Sequence, residues 1–354
     1  MDTITQILLG AAVGHAVGGR RLGWLAPAAG AAGGLIPDLD VFWPTPERSG
    51  IFWDVHRGIT HSLFFGPVVG GALGWISARL HARSAERRDK STQGLLAAWC
   101  AVWILAMFTH PLLDFFTVYG TQLLAPFSHA RFALPAIPII DPVYTLILVV
   151  ALVMAWRIGW KTVVGQRVMV GALVLTTSYL FVAWGQHYRA LDMAQADAGY
   201  RERAPDTLQA STTMFTPWLR RLSTEEETTR HVGFVSTINP KPINWVTVER
   251  DMEAEALLDD ALSTPEGVIY RRFASGLLHP HIIETGDERF LRVGDMRYGS
   301  PGATITGMWG LEWPLDGEGR IAGEGLRYRV SPEATPERIK ALFRASFGMS
   351  NGIF

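Results

Sequence analysis

LLAAWCAVWILAMFTHPLLDFF, residues 95–116, runs from Leu95 to Thr109 without a charged side chain and then presents His110 and Asp114 near its end. At ~1.5 Å per residue a helix of this length crosses a hydrocarbon core of ~30 Å. On such a helix His110 and Asp114, four apart, lie one above the other on one face, where they can grip the same ion or adjacent ions. Taken alone, an H-x-x-x-D pair reads equally as a helix-terminal histidine beside a carboxylate. Pro111, inside the pair, removes a helical hydrogen bond and predicts a bend that turns both groups toward the bundle.

Outward from this stretch, residues 63–78, 137–156 and 168–184 are equally dense in Leu, Val, Ala and Trp, which predicts about four transmembrane helices. Two short N-terminal hydrophobic helices precede them, residues 4–17 and 24–36, rich in Gly and Ala. Beyond about residue 191 the composition turns charged and mixed. The expected fold is therefore an α-helical membrane domain, residues 1–188, followed by a small α+β or mainly β soluble domain, residues 189–354. In the latter, strands are expected at 231–238, 242–249, 267–274, 290–297 and 304–312, separated by Gly, Pro and Asp turns, with a terminal amphipathic helix at 332–347.

Charge sets the expected topology. Arg79, Arg83, Arg87, Arg88 and Lys90 join the first two spans, and Arg157, Lys161 and Arg167 join the last two, so those loops face the cytoplasm. The 118–134 loop and everything after the last span then face outward. His56, His61, His110, Asp114 and Asp141 all fall at the outer face, and Asp38 and Asp40 join them if residues 24–36 rise outward. Ionisable groups bordering hydrocarbon are costly, and seven ligand-competent ones at one membrane face imply a shared polar site. The expected occupant is a divalent metal ion, zinc or alternatively manganese.

Within that site His56 and His61 bracket a helix entrance in HRGITHS, where Thr60 is placed to cap and Ser62 to hydrogen-bond a phosphate oxygen. Arg57 offers a planar fork for an anionic substrate, or else a salt bridge to Asp54 or Glu47. Asp38 and Asp40 alternate after Pro37, so in an extended loop only one is a direct ligand and the other orients a histidine. Asp141 before Pro142 reads as a ligand, an orienting carboxylate or a plain helix cap. His15 is placed nearer the inner end, and His129, His231, His279 and His281 fall in loops or the soluble part.

A net charge of −1 with no basic run interleaved with aromatics excludes an electrostatic nucleic-acid binder. The lone Cys100 makes no internal disulfide and says nothing about compartment. An acidic N-terminal stretch without a small-residue cleavage site argues against a removable signal peptide.

LIPDLD at 35–40, HRGITHS at 56–62, THPLLDFFTVYGTQLLAPFS at 109–128 and IDPVYT at 140–145 resemble the YdjM-like family of bacterial inner-membrane proteins described as metal-dependent hydrolases. MDTITQILLGAAVG at the start is similar to the same family, and RVGDMRYG at 292–299 resembles a segment of its longer members. Some relatives carry histidine where this chain has Gln6. The resemblance implies a multi-pass protein of the inner membrane with an extracytoplasmic C-terminal domain. It also implies a metal-dependent hydrolase, with Asp38, Asp40, His56, His61, His110, Asp114 and Asp141 around the metal. A site at headgroup depth suits a phosphoester of a phospholipid or isoprenoid phosphate, and no protein partner is specified. Two rivals remain: a noncatalytic anchor with a structural metal, and an ion transporter, which the apolar inner halves of the spans disfavour.

Overall fold

The computed structural model describes residues 1–86, 92–203, 205, 207–299, 306–330 and 335–349. Arg87, Arg88 and Lys90, residues 304–305 of one expected strand and residues 332–334 of the expected terminal helix lie outside them. The chain divides into two compact units. One comprises Met1–Trp43, Val55–Leu134 and Ile139–Val182, the other Pro44–Asp54, Pro135–Pro138 and Ala183–Phe354.

The helical elements run α1 (Thr3–Leu22), α2 (Leu25–Leu35), a 3-10 turn (Ile36–Phe42), α3 (Phe52–Val55), a second 3-10 turn (Ile59–His61) and a π-helical turn (Gly66–Gly70). There follow α4 (Gly71–Glu86), α5 (Leu95–Phe115), α6 (Pro142–Ile158), α7 (Val163–Ala196) and α8 (Ala198–Arg203). α1 begins at Asp2, whose carboxylate accepts from the Thr5 amide at 3.0 Å. It is longer than its apolar core suggested, because Gly18, Gly19, Arg20 and Arg21 continue the helix. α1 and α2 form a hairpin at backbone contact: a Cβ on Gly10 would fall 2.2 Å from the Gly30 carbonyl oxygen, and one on Gly34 2.3 Å from that of Gln6. Small residues at four-residue spacing allow this approach.

Among the described residues two helices, α5 and α7, are long and apolar enough to cross a membrane. A third is reached only if Phe52–His61 and Gly66–Ala85 count as one span bent by 52°. The four spans expected from composition are thus not supported. α6 stops at 17 residues because the Asp141 carboxylate captures the amides of Val143 and Tyr144, so the helix starts at Pro142 rather than near 137. The segment at 63–78 begins in the break between His61 and Gly66 and then enters the π turn and α4, where Gly70 and Gly74 lie close to the α5 backbone at Ile104 and Cys100.

Among its described residues the second unit contains two four-stranded antiparallel sheets, each in sequential order. The first is β1 (Gln209–Thr213), β2 (Thr216–Glu225), β3 (Thr229–Ser236) and β4 (Val246–Glu249). After α9 (Met252–Ser263) and α10 (Pro265–Phe273) come β5 (Leu278–Thr285), β6 (Glu288–Asp295), β7 (Trp309–Leu315) and β8 (Leu326–Arg329), and then α11 (Pro336–Ser346). The strand expected at 267–274 is instead α10: Thr264 caps it through the Gly267 amide, and Pro265 occupies its first turn. Leu219, Val232, Phe234, Leu277, Met296, Leu342 and Ala345 form one core cluster between strands and α11. His231 is held by Thr229, Thr247 and Glu226. Burial, then the neighbouring His281, pushes the His279 imidazole down to about 4, so it is a neutral core residue at physiological pH.

Candidate metal centre

Four side chains from three segments of the first unit converge: Asp38 from the first 3-10 turn, His61 from the second, and His110 and Asp114 from α5. One donor atom from each lies within 4.8 Å of the other three. His61 Nε2 is 3.0 Å from His110 Nε2, 3.4 Å from Asp38 Oδ1 and 3.3 Å from Asp114 Oδ2. His110 Nε2 is 3.3 Å from Asp38 Oδ1 and 3.6 Å from Asp114 Oδ2. A tetrahedron with bonds of ~2.0–2.1 Å has edges of ~3.3–3.4 Å, close to this spacing.

The outer contacts orient these donors. His110 Nδ1 lies 2.7 Å from the Gly34 carbonyl oxygen, which only accepts, so in the neutral ring the proton sits on Nδ1 and Nε2 presents a lone pair. His61 Nδ1 lies 3.2 Å from Asp40 Oδ2 and 3.0 Å from the Thr60 hydroxyl. A carboxylate there fixes the same tautomer in His61. Two imidazole lone pairs and two carboxylate oxygens at these distances repel one another unless a positive charge lies among them. Asp114 Oδ2 is buried and accepts no hydrogen bond, which an ion would satisfy. Its partner Oδ1 is occupied by the Met1 amino group, Gln6 Nε2 at 3.2 Å and Arg57 Nη2 at 3.0 Å. The donor set therefore fits a cation.

The other expected site residues form a layer around this set. Asp40 bridges His61 and His56, whose Nδ1 is 2.8 Å from Asp40 Oδ1. His56, expected as a ligand, stands outside the four-donor group. Thr60 does not cap a helix: it sits inside the 3-10 turn, and its hydroxyl donates to Asp40 Oδ2 at 2.7 Å. Arg57 reaches neither Asp54 nor Glu47 by any ion pair among the described residues. Its guanidinium meets Asp114, donates to the Thr117 hydroxyl at 2.8 Å and stacks 4.6 Å from the Tyr119 ring centroid. The Arg57 backbone is left-handed, φ 60°, a conformation costing ~1–3 kcal/mol that the Arg57 amide's bond to Asp40 at 3.1 Å helps hold. The Ser62 hydroxyl is buried without a hydrogen-bond partner. Asp141 lies apart: its carboxylate caps α6 and accepts from the Tyr179 hydroxyl at 2.8 Å, leaving the group of four without it. His15 bonds the Trp160 carbonyl oxygen and takes no part.

Three contributors carried no chemical signal in the sequence: the Gly34 carbonyl on His110, Thr3 donating to Asp38 at 3.2 Å, and Thr117 on Arg57. Only the packing of α1, α2 and α5 brings them to the site.

Asp40→Ala leaves all four converging donors in place and removes the carboxylate that orients His61, together with its bonds to His56, Thr60 and the Arg57 amide. Metal affinity is expected to fall ~10–100-fold, as for loss of an outer-shell carboxylate, when measured by competition with a chelator. Unchanged affinity would mean that Asp40 does not orient His61.

A family model described as YdjM inner membrane protein matches residues 1–190. No curated protein matches the chain, and no solved structure does.

Proposed function

The chain belongs to the YdjM inner membrane protein family, and from that premise we propose that it is a membrane-bound metal-dependent hydrolase cleaving a phosphoester of a lipid-linked substrate. The observation that carries this reading is the convergence of Asp38, His61, His110 and Asp114, with both histidine Nδ1 atoms tied off so that both Nε2 atoms face one point. Two imidazoles and two carboxylates suit zinc, with manganese the alternative. When bound, such an ion supplies Lewis acidity, lowering the pKa of water toward ~7 and polarising a phosphoryl oxygen.

The protein's own part is to orient and to admit. Asp40 and Gly34 hold the two imidazoles, and Arg57 offsets the second oxygen of Asp114. Ser62, buried with an unused hydroxyl, is the group we assign to a substrate phosphoryl oxygen. Of the four converging side chains Asp38 is the most open, 10% exposed against 0–1% for the others, so substrate approaches from its side. Leu39, Val41 and Phe42 on the same turn and Trp43 just after it are exposed, as are Ile59, Phe64 and Phe127, and this apolar border favours a substrate with a hydrocarbon tail. We place the site at the outer face of a multi-pass inner-membrane protein with the C-terminal domain extracytoplasmic.

The second reading, a noncatalytic anchor with a structural metal, is favoured by the near-complete burial of His61, His110 and Asp114. Detergent-purified protein loaded with zinc or manganese separates the two. Release of phosphate or headgroup from phosphatidic acid, phosphatidylglycerol or a long-chain isoprenyl diphosphate, absent in His110→Ala, is the expected result. A fully loaded wild type that cleaves neither these lipids nor p-nitrophenyl phosphate would overturn hydrolysis and leave the anchor.

A further inference from the structure

The C-terminal unit carries an apolar surface that neither the metal centre nor the fold explains. α11 buries Leu342, Ala345 and Ser346 against its own unit, and the Ser236 hydroxyl pins its end by donating to the Ser346 carbonyl oxygen at 2.7 Å. The adjacent stripe, Ile339, Phe343 and Phe347, recurs every four residues and is 39%, 42% and 46% exposed. Met349, just past the helix end at Gly348, is 63% exposed. Phe215, at the tip between β1 and β2, stacks on Phe343 with ring centroids 6.4 Å apart, and exposed Met214 precedes it. Asn239 donates to the Gly348 carbonyl oxygen at 3.3 Å, and the preceding Ile238 is exposed.

Lys340 and Arg344 lie on the solvent side of that stripe, at the helical positions following Ile339 and Phe343. An exposed apolar stripe of aromatic and branched residues edged by cations is the pattern of a helix lying in a membrane interface, with its side chains in the acyl boundary and its charges among headgroups. A soluble-protein partner would need a matching acidic and apolar face. A bilayer with anionic lipid supplies both chemistries at once, and α7, which leads into this unit, is long and apolar enough to anchor the chain in one. We propose that the α11 face, with the Met214–Phe215 tip, docks on the anionic surface of the membrane in which the chain is anchored. The inference is independent of the metal reading.

The test uses the full chain in a Cys100→Ser background, labelled with an environment-sensitive fluorophore at Phe343→Cys, or at Met349→Cys should the first misfold. Glu318→Cys, in the exposed turn after β7, is the reference. The protein is reconstituted into phosphatidylglycerol–phosphatidylcholine vesicles containing nitroxide-labelled lipid. The label at 343 or 349 is expected to be quenched by the nitroxide lipid and the label at 318 not. Lys340→Gln and Arg344→Gln are each expected to lower the docked-to-free ratio roughly fivefold, since a basic residue at an anionic surface contributes ~1 kcal/mol. High salt or pure phosphatidylcholine should act in the same direction. Equal quenching at all positions would overturn the proposal. So would a label at 343 that is shielded yet unquenched by lipid, which would place a second copy or another protein on the face.

Discussion

Metal bound by the wild-type chain is expected to be lost from His110→Ala and from Asp114→Ala, while both variants still insert into the membrane. Insertion depends on the uncharged run from Leu95 to Thr109, which neither change touches. Each variant deletes one of the four converging donors. The two should differ in stability. His110→Ala frees the Gly34 carbonyl and the contacts of Nε2 to His61 and Asp38 but strands no buried cation, whereas Asp114→Ala leaves the buried Arg57 guanidinium without its carboxylate. An uncompensated buried charge costs about 3–5 kcal/mol, so Asp114→Ala should unfold at a clearly lower temperature in detergent than His110→Ala. Thermal unfolding monitored beside metal content checks both halves, and metal retained by either variant would remove that residue from the site.

The second large effect is expected far from any ligand, at Gly34. A methyl group there would fall 2.3 Å from the Gln6 carbonyl oxygen, a backbone atom that cannot swing aside. Gly34→Ala must therefore spread α1 from α2, at ~1–3 kcal/mol or more for overpacking of this kind. The displacement moves the Gly34 carbonyl off His110 Nδ1 and Gln6 off Asp114, so metal affinity should fall together with stability. Gly71→Ala is the control. No atom lies within 4 Å of the methyl it would add, and within a helix the change should be neutral or stabilising by up to ~1 kcal/mol. If Gly34→Ala binds metal as Gly71→Ala does, the hairpin does not position the centre.

Much of the centre was legible because its residues sit at spacings that helical geometry converts directly into neighbourhood. His110 and Asp114 needed only a helix, and the apolar run from Leu95 supplied it. The division of labour between Asp38 and Asp40 was less accessible. It depends on the 3-10 turn at Ile36–Phe42, which sends one carboxylate to the converging donors and the other to His56 and to the far side of His61. Asp141 shows the limit of residue type as a guide: an aspartate before proline at the head of an apolar run has the same letters whether it binds metal or caps a helix, and here its oxygens are taken by Val143, Tyr144 and Tyr179. For Arg57 the sequence offers an anionic substrate or a salt bridge to Asp54 or Glu47; the structure pairs it with Asp114, across 57 residues that no local pattern connects.

In the C-terminal unit the helix at 265–273 is signalled locally, since Thr264, Pro265 and Glu266 are a helix-start signature ahead of the segment expected as a strand. α9, with Asp251 as its cap and acids in its first turn, carried a similar signal. The pairing of eight strands into two sheets was not available from spacing alone, because alternation within β2 is erased where both faces are buried. The count of spans failed for a related reason. Hydropathy measures how apolar a segment is, while the Asp141 cap sets where α6 begins and the 52° bend between His61 and Gly66 interrupts the other segment.

A cation held by Asp38, His61, His110 and Asp114 is the centre of the proposed site. The measurement that tests it most directly is metal content by mass spectrometry on detergent-purified wild type, with X-ray absorption at the edge of whichever metal is found. A stoichiometric ion coordinated by two imidazoles and carboxylate oxygens is the predicted result. A wild type that retains no ion even after zinc or manganese is restored, or an ion whose spectrum lacks imidazole, would contradict it.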